Sequence, residues 1–81
     1  MRLEFSERFR RSYEGSAPDV RKAVDKQLGL LLQNLRHPSL HAKKYDEARD
    51  IWQARVTRSW RLYFTIEGET YQIIDVIPHP K

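Results

Sequence analysis

The chain contains no cysteine, which excludes a disulfide framework, a thiolate zinc site and a cysteine nucleophile. No stretch approaches the ~20 apolar residues of a membrane span, and the opening MRLEFSERFRRS is too charged for a secretory signal. A cytoplasmic chain with no membrane partner is the expectation. Internal repeats, linkers and low-complexity segments are missing too, and 81 residues are too few to divide between two stable cores. Residues 1–81 are therefore read as one domain. Hydrophobic residues at 40% and charged residues at 32% make the chain polar, yet too apolar for disorder.

What is present in excess is positive charge, and it is concentrated. Fifteen Lys and Arg stand against eleven Asp and Glu, a net charge of +4. Residues 36–61 hold seven of the basic side chains (Arg36, Lys43, Lys44, Arg49, Arg55, Arg58, Arg61) and three acids (Asp46, Glu47, Asp50), so the flanks balance at eight against eight. Cations close together suit the neutralisation of phosphates, which points to a polyanion; a solvated face is the alternative reading.

Periodicity gives an α+β order, βααβββ. Residues 1–5 alternate apolar and charged side chains, the period of a strand with one buried face. Ser6 stands where a helix cap belongs, Phe9 and Tyr13 form an i, i+4 stripe, and Gly15 ends that helix. Ser16-Ala17-Pro18-Asp19 combines a hydroxyl cap, an early proline and an acid, which starts a second helix. Val20, Val24, Leu28, Leu31 and Leu35 form its inward face, and Pro38 stops it near Arg36. Pro38 to Asp50 reads as a loop carrying Lys43 and Lys44. Trp52, Ala54 and Val56, then Trp60, Leu62, Phe64 and Ile66 after a turn near Arg58-Ser59, alternate with polar side chains as a hairpin. Glu67-Gly68-Glu69 turns the chain into a last strand, Tyr71 to Ile77, apolar on both faces and so central. The helices must cover one face of this small, mainly antiparallel sheet.

Alternation then sorts the other face. With Trp52, Ala54, Val56, Trp60, Leu62 and Phe64 toward the helices, Gln53, Arg55, Arg61 and Tyr63 point away. In the last strand Ile74 and Val76 join the core, and Ile73, Asp75 and Ile77 face outward, followed by His79 if extended geometry survives Pro78. With Lys43 and Lys44 this makes a cationic concavity containing a histidine. Cleavage of an RNA phosphodiester needs the 2′-hydroxyl deprotonated, charge stabilised on the phosphorane and a proton for the 5′-oxygen. Histidine suits the proton steps and arginine the charge. The substrate supplies its own nucleophile, so no metal or small-molecule cofactor is required. His37 and His41 are four apart, but Pro38 breaks the helix that would pair them as metal ligands. Cross-strand pairing of Arg55 and Arg61 with Asp75 is the structural alternative.

Taken together, Lys43-Lys44-Tyr45, Ile51-Trp52-Gln53-Ala54-Arg55-Val56, Trp60-Arg61-Leu62-Tyr63-Phe64 and Ile74-Asp75-Val76-Ile77-Pro78-His79 resemble the RelE/ParE-superfamily toxins of bacterial type II toxin–antitoxin systems. The likeness spans nearly the whole chain, and its most specific part is the aromatic-Arg-Leu-aromatic run at Trp60 to Tyr63. It implies a RelE-like, microbial RNase-type fold. In the RelE branch it implies metal-independent cleavage of mRNA on the ribosome, which inhibits translation. By position, Arg61 matches the family's recurrent active-site arginine, Arg55 a basic second-strand residue and Lys44 a lysine leading into that strand. His79 falls where arginine or histidine follows the last strand. The resemblance and the shared face together nominate His79, Arg61 and Arg55 as catalytic, and Lys43, Lys44, Gln53, Arg58 and Tyr63 as RNA-binding. A cognate antitoxin, the ribosome and mRNA are the implied partners. Gln53 stands where ribosome-dependent members can carry a lysine, and Lys81 precedes the C-terminal tyrosine or helix of many active members. Two alternatives stay open: a non-catalytic ParE-like inhibitor of DNA gyrase, and a weak or decayed toxin.

Overall fold

A computed structural model describes residues 1–79 of the chain. The elements run β1 (Arg2–Phe5), α1 (Glu7–Glu14), α2 (Pro18–Gln33), a single 3₁₀ turn (Pro38–Leu40), β2 (Lys43–Asp46), β3 (Ile51–Thr57), β4 (Trp60–Glu67) and β5 (Thr70–Pro78). The strands form one five-stranded sheet in the order β1-β5-β4-β3-β2. Pairing is antiparallel throughout except for β1, which lies parallel to β5 with Leu3 opposite Tyr71. The architecture is the expected α+β arrangement of two helices on a small mixed sheet, with one strand more than periodicity revealed.

That additional strand is β2, in the stretch read as a loop. Lys43-Lys44-Tyr45-Asp46 has no apolar alternation and no β-branched residue, so it carries no local strand signal. It is a short edge strand held by pairing with β3, Lys43 opposite Gln53 and Lys44 opposite Trp52.

Ser6 caps α1 as its position predicted: its Oγ accepts from the Phe9 amide at 2.9 Å and donates to the Ile74 carbonyl at 2.6 Å, which fastens the helix start to β5. A hydroxyl cap of this kind contributes about 1 kcal/mol. Ser16 does not repeat the device. Its hydroxyl donates back to the Ser12 carbonyl, and Ala17 holds the cap position of α2 ahead of Pro18. The second helix ends at Gln33, a turn before Pro38; Leu35 still reaches the core from outside it.

The core lies between helices and sheet, where α1 runs along β5 and α2 along β3. Val24, Leu31, Leu40, Ala54, Leu62 and Phe64 are fully buried. Truncating one of them, Leu31→Ala for instance, costs about 2–5 kcal/mol because the cavity refills only in part. In β5 the buried pair is Ile73 and Val76, not Ile74 and Val76. The register explains the change: Tyr63 faces Asp75 but Phe64 faces Ile73, so Ile74 is an extra residue in a bulge that shifts the phase of the strand. No helix among the described residues is long and apolar enough to cross a membrane.

Candidate functional site

On the side of the β3–β4 hairpin turned from Ala54 and Leu62, an open depression of about 410 Å³ is lined by His41, Ala42, Lys43, Gln53, Arg55, Arg61 and His79. Five of the eight residues read from the sequence as site residues thus meet at one surface. Cross-strand pairing does most of the work. Lys43 stands opposite Gln53 at the β2–β3 ladder, and Arg55 opposite Arg61 at the β3–β4 ladder, so side chains two residues apart along β3 share a face. His79 arrives by continuation of β5. Ile77 pairs with Arg61, and beyond Pro78 the His79 amide donates to the Ser59 carbonyl at 2.6 Å, carrying the extended geometry one step past the strand.

The two arginines differ. Arg55 is exposed, whereas Arg61 is only 8% exposed. Its Nη1 donates to the carbonyls of Thr57 (2.8 Å), Arg58 (3.2 Å) and Trp60 (3.0 Å), so the guanidinium fills the β3–β4 turn from beneath while still lining the depression. Neither arginine pairs with Asp75. That carboxylate accepts from the Ser12 hydroxyl at 2.6 Å, lies 3.7 Å from the Arg8 guanidinium and is 14% exposed, so it belongs to the α1–β5 contact and not to the site. The register keeps Asp75 opposite Tyr63, and it is the contacts with Ser12 and Arg8 of α1 that hold its carboxylate away from the arginines.

Lys44 also stands apart from the depression. Its cross-strand partner is Trp52, its Nζ lies 5.2 Å from the centre of the Trp52 ring, and it bonds the Asp50 carboxylate at 2.8 Å, which raises its pKa above the ordinary 10.5. With Lys44 in a strand, only one of two successive lysines can share the Gln53 face. Arg49 is likewise engaged, 2.8 Å from Asp46, whose carboxyl it holds below the usual range. Arg58 is exposed in the turn and does not line the depression. Among the described residues the lining holds Lys43, Arg55 and Arg61 and no carboxylate.

Tyr63 sits opposite Gln53. Burial pushes its hydroxyl above the ordinary 10.0, with Tyr45 adding to the shift and Arg61 opposing it.

Two residues of this surface escaped the sequence reading. Tyr45, 59% exposed, meets Tyr63 edge to face with ring centres 4.9 Å apart, placing an aromatic platform beside the cations. His41 follows the 3₁₀ turn in the left-handed region (φ 46°, ψ 42°), a conformation that costs a non-glycine residue of order 1–3 kcal/mol and that histidine tolerates better than most. The signal for His41 was its two-residue step to Lys43, which becomes meaningful only once β2 is known to be extended.

The sequence matches no protein-family model and no curated protein. Solved structures match it closely in shape. A YoeB/ParE toxin from Agrobacterium tumefaciens superposes with a TM-score of 0.83 at 13% identity, covering 99% of this chain and 100% of that one. YafQ from E. coli strain BL21(DE3) gives 0.79 at 12% identity, covering 95% and 91%. The intact E. coli RelBE toxin–antitoxin complex gives 0.73 at 20% identity, covering 98% and 96%.

Proposed function

We propose that this chain, which has the fold of the RelE and YoeB/ParE toxins, is itself the toxin of a type II toxin–antitoxin module and acts in the cytoplasm as a ribosome-dependent mRNA endoribonuclease that inhibits translation. One observation carries the reading: Lys43, Arg55, Arg61 and His79 share a depression whose described lining includes no acid. Such a surface holds a phosphodiester, the arginines and Lys43 stabilise charge that grows on the phosphorane, and His79 moves a proton. The 2′-hydroxyl of the substrate is the nucleophile, so the chemistry requires no metal. The exposed cationic face suits a cognate antitoxin that wraps it with an acidic, largely disordered segment; the RelBE match is a toxin–antitoxin complex.

Expression from a tight promoter, followed by primer extension on cellular mRNA, tests this. New 5′ ends in phase with codons are expected. Growth arrest without such ends sinks the reading.

A second reading, a non-catalytic ParE-like toxin that blocks DNA gyrase, is favoured by the way Arg61 donates to three turn carbonyls, as a structural residue does. A supercoiling assay with purified gyrase separates the two: inhibition supports the second reading, and unimpeded supercoiling the first.

A further inference from the structure

Cleavage by the 2′-hydroxyl requires a proton to be taken and another to be given in the same turnover. A single imidazole cannot do both at once, and a guanidinium is not a proton acceptor. His41 and His79, which come from segments at opposite ends of the sheet-forming half of the chain, line the same depression. The remaining polar lining is Lys43, Gln53, Arg55 and Arg61, so these two histidines are the only imidazoles in the described wall. On its other side His41 borders a smaller hollow with Arg36 and His37.

The backbone at His41 is held, not loose. Leu40 before it is fully buried, the His41 amide donates to the Pro38 carbonyl at 3.3 Å, and Gln27 donates to the Ser39 carbonyl at 3.2 Å. A left-handed residue fixed by such neighbours is the sort of strained position that directs a side chain to a site.

We propose that His41 is the second proton-transferring group of the site, working with His79 on one phosphodiester. The inference rests on the nuclease reading. The 2′-oxygen forms a bond to phosphorus and loses its proton to the neutral imidazole of the pair. The bond from phosphorus to the 5′-oxygen breaks as the protonated imidazole gives that oxygen its proton. One proton is taken and one is given, leaving a 2′,3′-cyclic phosphate on one fragment and a 5′-hydroxyl on the other. Lys43, Arg55 and Arg61 hold the phosphate oxygens between the two histidines.

Two measurements test this. In the first, the ring Cε1–H resonances of the three histidines, assigned by single substitution, are followed on the full chain during titration with a mixture of nucleoside 3′-monophosphates. His41 and His79 are expected to shift together along one saturable curve, with His37 unmoved. A shift of His79 alone overturns the proposal and leaves the nuclease reading standing. In the second, His41→Asn, which keeps a residue suited to the left-handed backbone, is compared with the parent in mRNA cleavage across pH. Cleavage should fall by roughly 10²- to 10⁴-fold, and one limb of a bell-shaped profile should disappear. Cleavage at the parent rate with both limbs intact overturns the proposal. A parent chain that cleaves no mRNA overturns the nuclease reading and the proton-transfer role with it, even where both resonances shift.

Discussion

The side-chain amide of Gln27, on the buried face of α2, donates to the main-chain carbonyl of Arg55 in β3 at 2.8 Å and to the Ser39 carbonyl at 3.2 Å. It is 4% exposed. The β3–β4 ladder is irregular between Arg55 and Thr57, and a bulge there leaves backbone groups that ladder pairing does not satisfy. One glutamine thus ties the strand bearing Arg55 to the turn that precedes His41. Replacing it by leucine, close in volume, strips two partly buried carbonyls of their partner. Gln27→Leu should destabilise the fold by about 1–3 kcal/mol, read as a lower urea midpoint with an unchanged slope. A midpoint equal to that of the parent would show that water replaces the amide at no cost.

Arg55 and Arg61 should separate in stability while agreeing in function. Arg55→Ala removes an exposed side chain and should shift stability by about 0.5 kcal/mol or less. Arg61→Ala removes a donor shared by three carbonyls and should cost about 1–3 kcal/mol. Both should lower toxicity in expression assays. Equal melting curves for the two variants would contradict the structural part of the Arg61 assignment.

His79 is exposed and joined to the sheet through its backbone. His79→Ala should therefore leave thermal unfolding unchanged while mRNA cleavage falls by roughly 10²- to 10⁴-fold, with ribosome binding retained. Cleavage at the parent rate would remove His79 from the mechanism.

Alkaline pH should weaken the fold. Tyr13 is raised above 10.0 chiefly by its hydrogen bond to Asp25, Tyr63 and Tyr71 chiefly by burial, and Lys44 above 10.5 by its bond to Asp50. In each case the folded state holds the proton more tightly than the unfolded chain. Their contribution is complete below the unfolded values and is lost as pH rises through the folded ones. Asp46 has the opposite sign: it is lowered from 3.8 by Arg49, so its contribution is present above that value and lost as pH falls. Urea midpoints measured with tyrosinate absorbance should fall above pH 10, and Tyr63→Phe should flatten part of that fall. Constant midpoints across the alkaline range would contradict the assignment.

Most of the fold was legible because most of it is written in local periods. The inward stripe of α2 and the alternation of β3 and β4 are repeated hydrophobic signals, and both helices, the hairpin and the facing of Gln53, Arg55 and Arg61 follow from them. Failures occurred where pairing overrides local preference. The strand at Lys43 exists because β3 offers it a partner, and the phase of β5 depends on one inserted residue, Ile74, that only the register with β4 exposes. The site follows the same logic: Lys44 parts from Lys43 because a strand runs through both, and Asp75 is drawn to Ser12 and Arg8 of α1, a contact that no strand period encodes. Pro38 breaks the helix that would pair His41 with His37, yet the turn that replaces the helix is what delivers His41 to the depression.

The parallel ladder that sets Leu3 opposite Tyr71 has a bearing on when the site is assembled. Pairing across such a separation bears a loop-closure cost before any contact compensates it. During synthesis β1, α1 and α2 emerge ahead of the other four strands, so the apolar stripes of the helices are at first uncovered. Nothing can seat β1 until β5 exists, and Arg61, Arg55 and His79 are not brought together until β5 lies against β4. The surface that gathers these three side chains is therefore a late product of folding, completed only when β5 has taken its place in the sheet.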